Sequence, residues 1–83
     1  MQPAAAKLSL VKVELVTRRG CHLCEEAEIM LRSLGVEPEL RDVDLDPALS
    51  ANYDFRVPVV LVEGRVVGEG RISEEVLVRA LGV

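Results

Sequence analysis

Cys21 and Cys24 are the only cysteines in the chain, and two residues, His22 and Leu23, separate them. Thiols three positions apart in the first turn of a helix lie on one face, so one can attack a disulfide while the other resolves the product. Cys21 stands where a strand hands over to a helix. Unpaired backbone N–H groups and the helix dipole favour an anion there, drawing a thiol from about 8.5 toward the 3.5–7.5 range of activated cysteines. Cys24 falls one turn further in, on the apolar stripe of the same helix, where a thiol stays protonated until it is needed. These roles make Cys21 the candidate nucleophile and Cys24 the candidate resolving thiol. The alternative is a pair of small buried apolar side chains. His22, if protonated, can stabilise a neighbouring thiolate, whereas an exposed first-turn histidine can equally be plain solvated surface. Arg18 and Arg19 place fixed positive charge just upstream, suited to a thiolate or to an anionic substrate.

The elements that must position these residues follow from periodicity. Apolar residues thicken from Leu8, and Val11, Val13 and Leu15 alternate with Lys12 and Glu14 as a first strand. Thr17 to Gly20 is a polar loop. Cys24, Ala27, Leu31 and Leu34, flanked by Leu23 and Met30, then recur at helical spacing, giving a helix from about Cys21 to Leu34 that Gly35 stops. After Pro38, Leu40 to Leu45 alternates again with Arg41, Val43 and Leu45 on one side, and a crossover of this length makes the two strands parallel. Asp46-Pro47 reads as a cap and first-turn proline of a short helix reaching about Tyr53. Val59 to Val62 and Arg65 to Val67 form a hairpin across Glu63-Gly64. Ser73 caps a last helix with Val76, Leu77, Ala80 and Leu81 facing inward and Gly82 at its end. Tyr53 and Phe55, the only aromatics, are expected in the core or in a groove wall.

Composition bounds the rest. With 83 residues, 49% hydrophobic and 29% charged, there is material for one globular core. The expected organisation is one domain over residues 8–83 behind a flexible segment, Met1 to Lys7. A net charge of −4 without a basic run excludes a phosphate-tracking surface, and two aromatics make no base-stacking platform, so nucleic acid is not an expected partner. The longest apolar run, Val57 to Val62, is far too short to span a bilayer. Two cysteines that close only a four-residue ring staple almost nothing, which points to a cytoplasmic protein rather than a disulfide-bonded secreted domain, and a monomer is expected.

The order βαβ, helix, β-hairpin, helix, the sequence Cys21-His22-Leu23-Cys24 at the first strand-to-helix junction, and Val57-Pro58 just ahead of the hairpin resemble the thioredoxin-fold superfamily, and within it the small bacterial glutaredoxin-like proteins. The resemblance implies an α/β, thioredoxin-like fold: a four-stranded mixed sheet with helices on both faces. It also implies a cis proline at Pro58 beside the cysteine pair, holding the Val57 backbone open for an extended substrate segment. Two departures matter. Gly20 precedes the first cysteine where thioredoxins carry tryptophan, and His22-Leu23 replaces their Gly-Pro. Gly68-Glu69-Gly70-Arg71 replaces the Gly-Gly and acidic residue that meet glutathione, so glutathione is a disfavoured electron donor although Arg18 or Arg19 and Val57 could still hold it.

The leading expectation is a thiol-disulfide oxidoreductase without a cofactor, acting on a disulfide-containing protein or small-molecule disulfide and recharged by a reductase or glutathione. A second is metal binding by Cys21, Cys24 and His22, as zinc or as an iron–sulfur cluster shared in a dimer; the lack of another Cys or His pair counts against it. A third is an interaction module without turnover.

Overall fold

The computed structural model describes residues 11–82. The expected flexible segment Met1 to Lys7 and the strand start at Leu8 lie outside them. The first strand, β1, is Val13–Thr17, preceded by a bend at Val11; helix α1 is His22–Ser33, β2 is Glu39–Asp42, and a 3-10 turn covers Val43–Leu45. Helix α2 is Pro47–Tyr53, β3 is Val59–Val62, β4 is Arg65–Glu69 and helix α3 is Glu74–Leu81. The sheet order is β2-β1-β3-β4, with β1 and β2 parallel and the other two pairs antiparallel.

Strand periodicity divides the core between the two faces. Val13, Leu15 and Val60 point to one face, where they meet Ala27 and Leu31 of α1, Val36, and Leu77 of α3. Val16, Val59 and Leu61 point to the other, where Val43 covers them together with Leu49 and Tyr53 of α2. Helices therefore lie on both faces of the sheet. Glu14, on the α2 side of β1, is almost buried and is tolerated because Arg41 Nη1 donates to its Oε2 at 2.7 Å.

Local chemistry explains the boundaries. Asp46 caps α2 by accepting the N–H groups of Ala48 and Leu49, with Pro47 in the first turn. The hairpin turn has φ of 51° at Glu63 and 82° at Gly64, the positive values a two-residue turn of this hand requires. Ser73 Oγ accepts from Val76 N–H and Gly82 closes α3 in the left-handed region.

Four expectations are corrected. The second strand stops at Asp42 instead of reaching Leu45, because the Asp42 carboxylate accepts the Asp44 N–H at 2.8 Å and turns the chain into the 3-10 segment. Leu45 consequently stands 82% exposed. The last strand runs on to Glu69: pairing of Val60 with Gly68 but Leu61 with Val66 leaves Val67 as an extra residue, a bulge that lengthens β4. Phe55 is neither core nor wall; it is 96% exposed, in the loop between α2 and β3, while Tyr53 does pack against the second core cluster. Val76 lies on the flank of α3 at 40% exposure, leaving Leu77 as the side chain of that helix that is fully buried.

Candidate redox site

The site forms at one end of the sheet because three chain segments converge there. Thr17 at the end of β1 pairs with Asp42 at the end of β2, and Val16 pairs with Val59 at the start of β3. The β1–α1 loop, the turn after β2 and the segment leading into β3 are thus neighbours. The loop after β1 turns through Gly20, whose φ is 77°, and closes when the Cys21 N–H donates to the Arg18 carbonyl at 3.2 Å.

Cys21 is the N-cap of α1. Its backbone is extended (φ −94°, ψ 110°), its carbonyl accepts from Glu25 N–H at 3.1 Å, and its Sγ accepts from Cys24 N–H at 3.2 Å. A sulfur in a position normally taken by a serine or aspartate oxygen thus receives one of the unpaired amides of the helix start. Cys21 and Cys24 are joined as a disulfide with a Cα–Cα separation of 5.2 Å. The two sulfurs are not equivalent. Cys21 is half-buried, whereas Cys24 is 2% exposed.

The other expected residues divide into those the fold gathers around this pair and those it engages elsewhere. The Val57-Pro58 peptide bond is cis, Pro58 is fully buried and Val57 half-buried. Both precede the first ladder pair of β3, so no strand among the described residues covers the Val57 backbone, and the Pro58 carbonyl accepts from Gly70 N–H at 2.8 Å. His22 is exposed and turned along the helix, with Nε2 2.9 Å from Glu26 Oε2 and Nδ1 4.0 Å from Glu25. Arg19 is exposed and pairs with no carboxylate among the described residues. Arg18 is fully engaged. Its Nε and Nη2 donate to the two Asp44 carboxylate oxygens at 2.9 Å each, Nη1 donates to the Asp54 carbonyl at 3.0 Å, and Nη2 also reaches Asp54 Oδ1. The hydrogen bonds that Arg18 donates hold the Asp44 carboxyl below its ordinary range, and its bonds to Asp44 and then to Asp54 hold the guanidinium above its own.

Two groups at this end escaped sequence reasoning: the aspartates that take up Arg18, and Arg56. The latter donates from Nε to Glu69 at 3.1 Å, pairs with the same carboxylate through Nη2, reaches the Asn52 carbonyl through Nη1 at 3.2 Å, and stacks 5.2 Å from the Tyr53 ring centroid. The carboxylate of the Gly68-Glu69-Gly70 turn is thereby occupied within the chain, and the Arg56 hydrogen bonds hold it below its ordinary range. Among the described residues no cluster of three or more His, Cys, Asp and Glu side chains is placed to hold a metal, and no helix is long and apolar enough to cross a membrane.

A βαβ unit, a short helix, a β-hairpin and a closing helix, with a Cys-x-x-Cys pair at the start of the first helix and a cis proline just ahead of the hairpin, define a thioredoxin-fold protein. A thioredoxin variant from Halobacterium salinarum has the same fold, with a TM-score of 0.61 and 26% identity over 86% of this chain and 71% of that one. Residues 12–82 match the glutaredoxin-like domain family (DUF836), and the chain belongs to that family. It is similar to a protein of Nitrosomonas europaea solved by NMR, with a TM-score of 0.75 and 31% identity, covering 86% of this chain and 91% of that one. A glutaredoxin of Arabidopsis thaliana is 33% identical over 64 residues, which are 68% of this chain and 63% of that protein. The fold and a Cys-x-x-Cys pair at disulfide distance support a redox role.

Proposed function

We propose that the chain is a dithiol-disulfide oxidoreductase in which Cys21 is the nucleophile and Cys24 the resolving thiol. The observation that carries this reading is the inequality of the pair: a half-buried sulfur at a helix N-cap, accepting a backbone N–H, joined to one that is 2% exposed. In the reduced protein the Cys21 thiolate attacks one sulfur of a substrate disulfide, forming a mixed disulfide and expelling the other sulfur as thiolate. Cys24 loses its proton and attacks Cys21 Sγ, closing the Cys21–Cys24 disulfide and releasing the second substrate thiolate. Two electrons pass to the substrate, whose two thiolates take up protons. A thiol reductant, either a reductase dithiol or two molecules of glutathione, reverses the exchange to recharge the pair. A reducing compartment such as the cytoplasm supplies the dithiol from which the cycle starts.

The uncovered Val57 backbone suits pairing with an extended segment beside the substrate cysteine, and Arg19 is available to an anionic group there. Engagement of Glu69 by Arg56 leaves that carboxylate ill suited to meet the amino group of glutathione, which favours a disulfide-containing protein as substrate. The test is a pair of variants offered a disulfide-bonded peptide. Cys24→Ser should accumulate a covalent adduct of chain plus peptide, visible by mass spectrometry and released by dithiothreitol, while Cys21→Ser should form none and turn over nothing. Equal residual activity in the two variants, or an adduct on Cys24 when Cys21 is replaced, would sink the assignment.

A further inference from the structure

Arg18 touches three segments that meet only in the fold. Its carbonyl holds the Cys21 N–H, its Nε and Nη2 hold Asp44 in the turn after β2, and Nη1 and Nη2 hold the carbonyl and carboxylate of Asp54 at the end of α2. From Asp54 only three residues remain to the cis bond at Val57-Pro58. The segment between α2 and β3 has few other anchors. Phe55 at 96% exposure contributes no burial, so the segment is held by Arg18 at Asp54, by the Asp54 and Arg56 N–H groups donating to the Ser50 and Tyr53 carbonyls, by Arg56 with its Glu69 and Asn52 partners, and by Val57 and Pro58, which pack inward at the other end.

Charge counting excludes a simpler role. One guanidinium faces two carboxylates, so the group carries a net charge of −1 and offers a nearby thiolate no net attraction. What the guanidinium supplies is geometry: a planar fork whose donors reach two residues at once, which the single nitrogen of a lysine cannot reproduce.

We propose that Arg18 is a positioning residue, fixing the Asp54–Pro58 segment against the loop that delivers Cys21 and so setting the gap across which a polypeptide disulfide lies between Cys21 and the Val57 backbone. This rests on the dithiol-disulfide reading above. A small disulfide that needs only a collision with Cys21 is insensitive to that gap, whereas a peptide that must pair with Val57 while presenting its sulfur is not.

The experiment uses the whole chain, reduced with dithiothreitol and freed of it, in single turnovers. One substrate is a ten-residue peptide closed by an internal disulfide, the other 5,5′-dithiobis(2-nitrobenzoic acid). Arg18→Lys keeps the charge and loses the fork; Asp54→Ala removes the carboxylate contact of the far anchor and leaves the carbonyl contact in place. Each should raise the half-saturating peptide concentration and lower the ratio of peptide rate to small-disulfide rate by about tenfold, less than the roughly hundredfold that a full 1 Å misplacement of bound groups can cost. The double variant should be no worse than the poorer single one. The pH midpoint of Cys21 alkylation by iodoacetamide should stay in place in Arg18→Lys. The proposal is overturned by a ratio within twofold of the parent in both variants, by additive losses in the double variant, or by a ratio that falls only together with a displaced alkylation midpoint. Should Arg18→Lys fail to fold by circular dichroism, the ratio in Asp54→Ala decides alone. A parent chain that reduces neither substrate would instead refute the oxidoreductase reading itself.

Discussion

Leu31 is the residue through which α1, and with it the cysteine pair, is fastened to the sheet. It is fully buried among Val13, Leu15, Ala27, Val36, Val60 and Leu77. Leu31→Ala removes a buried isobutyl group and leaves a cavity walled by two strands and two helices, a change that costs about 2.7–5 kcal/mol when the surroundings relax only partly. Against a total of roughly 4–12 kcal/mol for a chain of this length, that is a large share. With a denaturant slope of about 2 kcal/mol per molar in guanidinium chloride, the unfolding midpoint should fall by roughly 1.3–2.5 M. Ile29, two residues away and 68% exposed, supplies the control: Ile29→Ala should move stability by no more than about 0.5 kcal/mol. Cys24 is not part of the cluster that Leu31 joins, so the loss should be the same in the oxidised and reduced protein and the potential of the pair should move by less than about 15 mV, half of the 30 mV that 1.4 kcal/mol would produce. The measurements are denaturation of both redox forms by circular dichroism and equilibration of the pair in a thiol redox buffer. A Leu31→Ala loss below about 1 kcal/mol would mean that α1 is not seated as described. A shift beyond 30 mV would mean that its packing is coupled to the sulfur chemistry.

Two further predictions concern the frame around the site. Arg56 holds the Glu69 carboxyl below its ordinary value of 4.5, and Arg18 holds Asp44 below 3.8, so the stabilisation from these pairs is complete above those values and fades as pH falls below them through the lowered ones. The gap in denaturation midpoint between parent and Glu69→Gln should therefore narrow from pH 7 to pH 3; a gap of the same size at both would refute the linkage, and added salt should shrink it because both partners are part exposed. At Gly68 a Cβ would meet Ile72 Cγ2 at 3.3 Å and Val76 Cγ1 at 3.6 Å, the contact by which β4 lies close under α3. Overpacking of about 1–3 kcal/mol outweighs the entropy of roughly 0.4–1 kcal/mol that a glycine replacement returns. Gly68→Ala should lower the melting temperature, and a rise would show that the two elements have slack between them.

The residues legible from sequence are those whose physics is local. The amides that meet Cys21 Sγ and Ser73 Oγ lie three residues on, the pair at Asp46-Pro47 sets its own turn, and Glu63-Gly64 takes the positive φ values that its hairpin demands. Spacing alone placed Cys24, Ala27 and Leu31 on one buried face. The errors arose where a neighbour outbid a pattern. Alternation continues through Val43 and Leu45, but the Asp42 side chain caps the next turn and ends the strand at a cost no periodicity count registers. Arg18 is the instructive case. From sequence it is a cation three residues before the candidate nucleophile, and the natural inference is that its charge acts on a thiolate or on an anionic substrate. Its partners lie 26 and 36 residues away, and once they are in place the charge is spent and only the shape of the fork remains to act. The step from a charged residue near a site to a charge acting on that site therefore requires the tertiary partners. Here they turn an electrostatic expectation into a geometric one, which the charge-conserving Arg18→Lys variant separates from the former because only a geometric role is lost when the charge is kept.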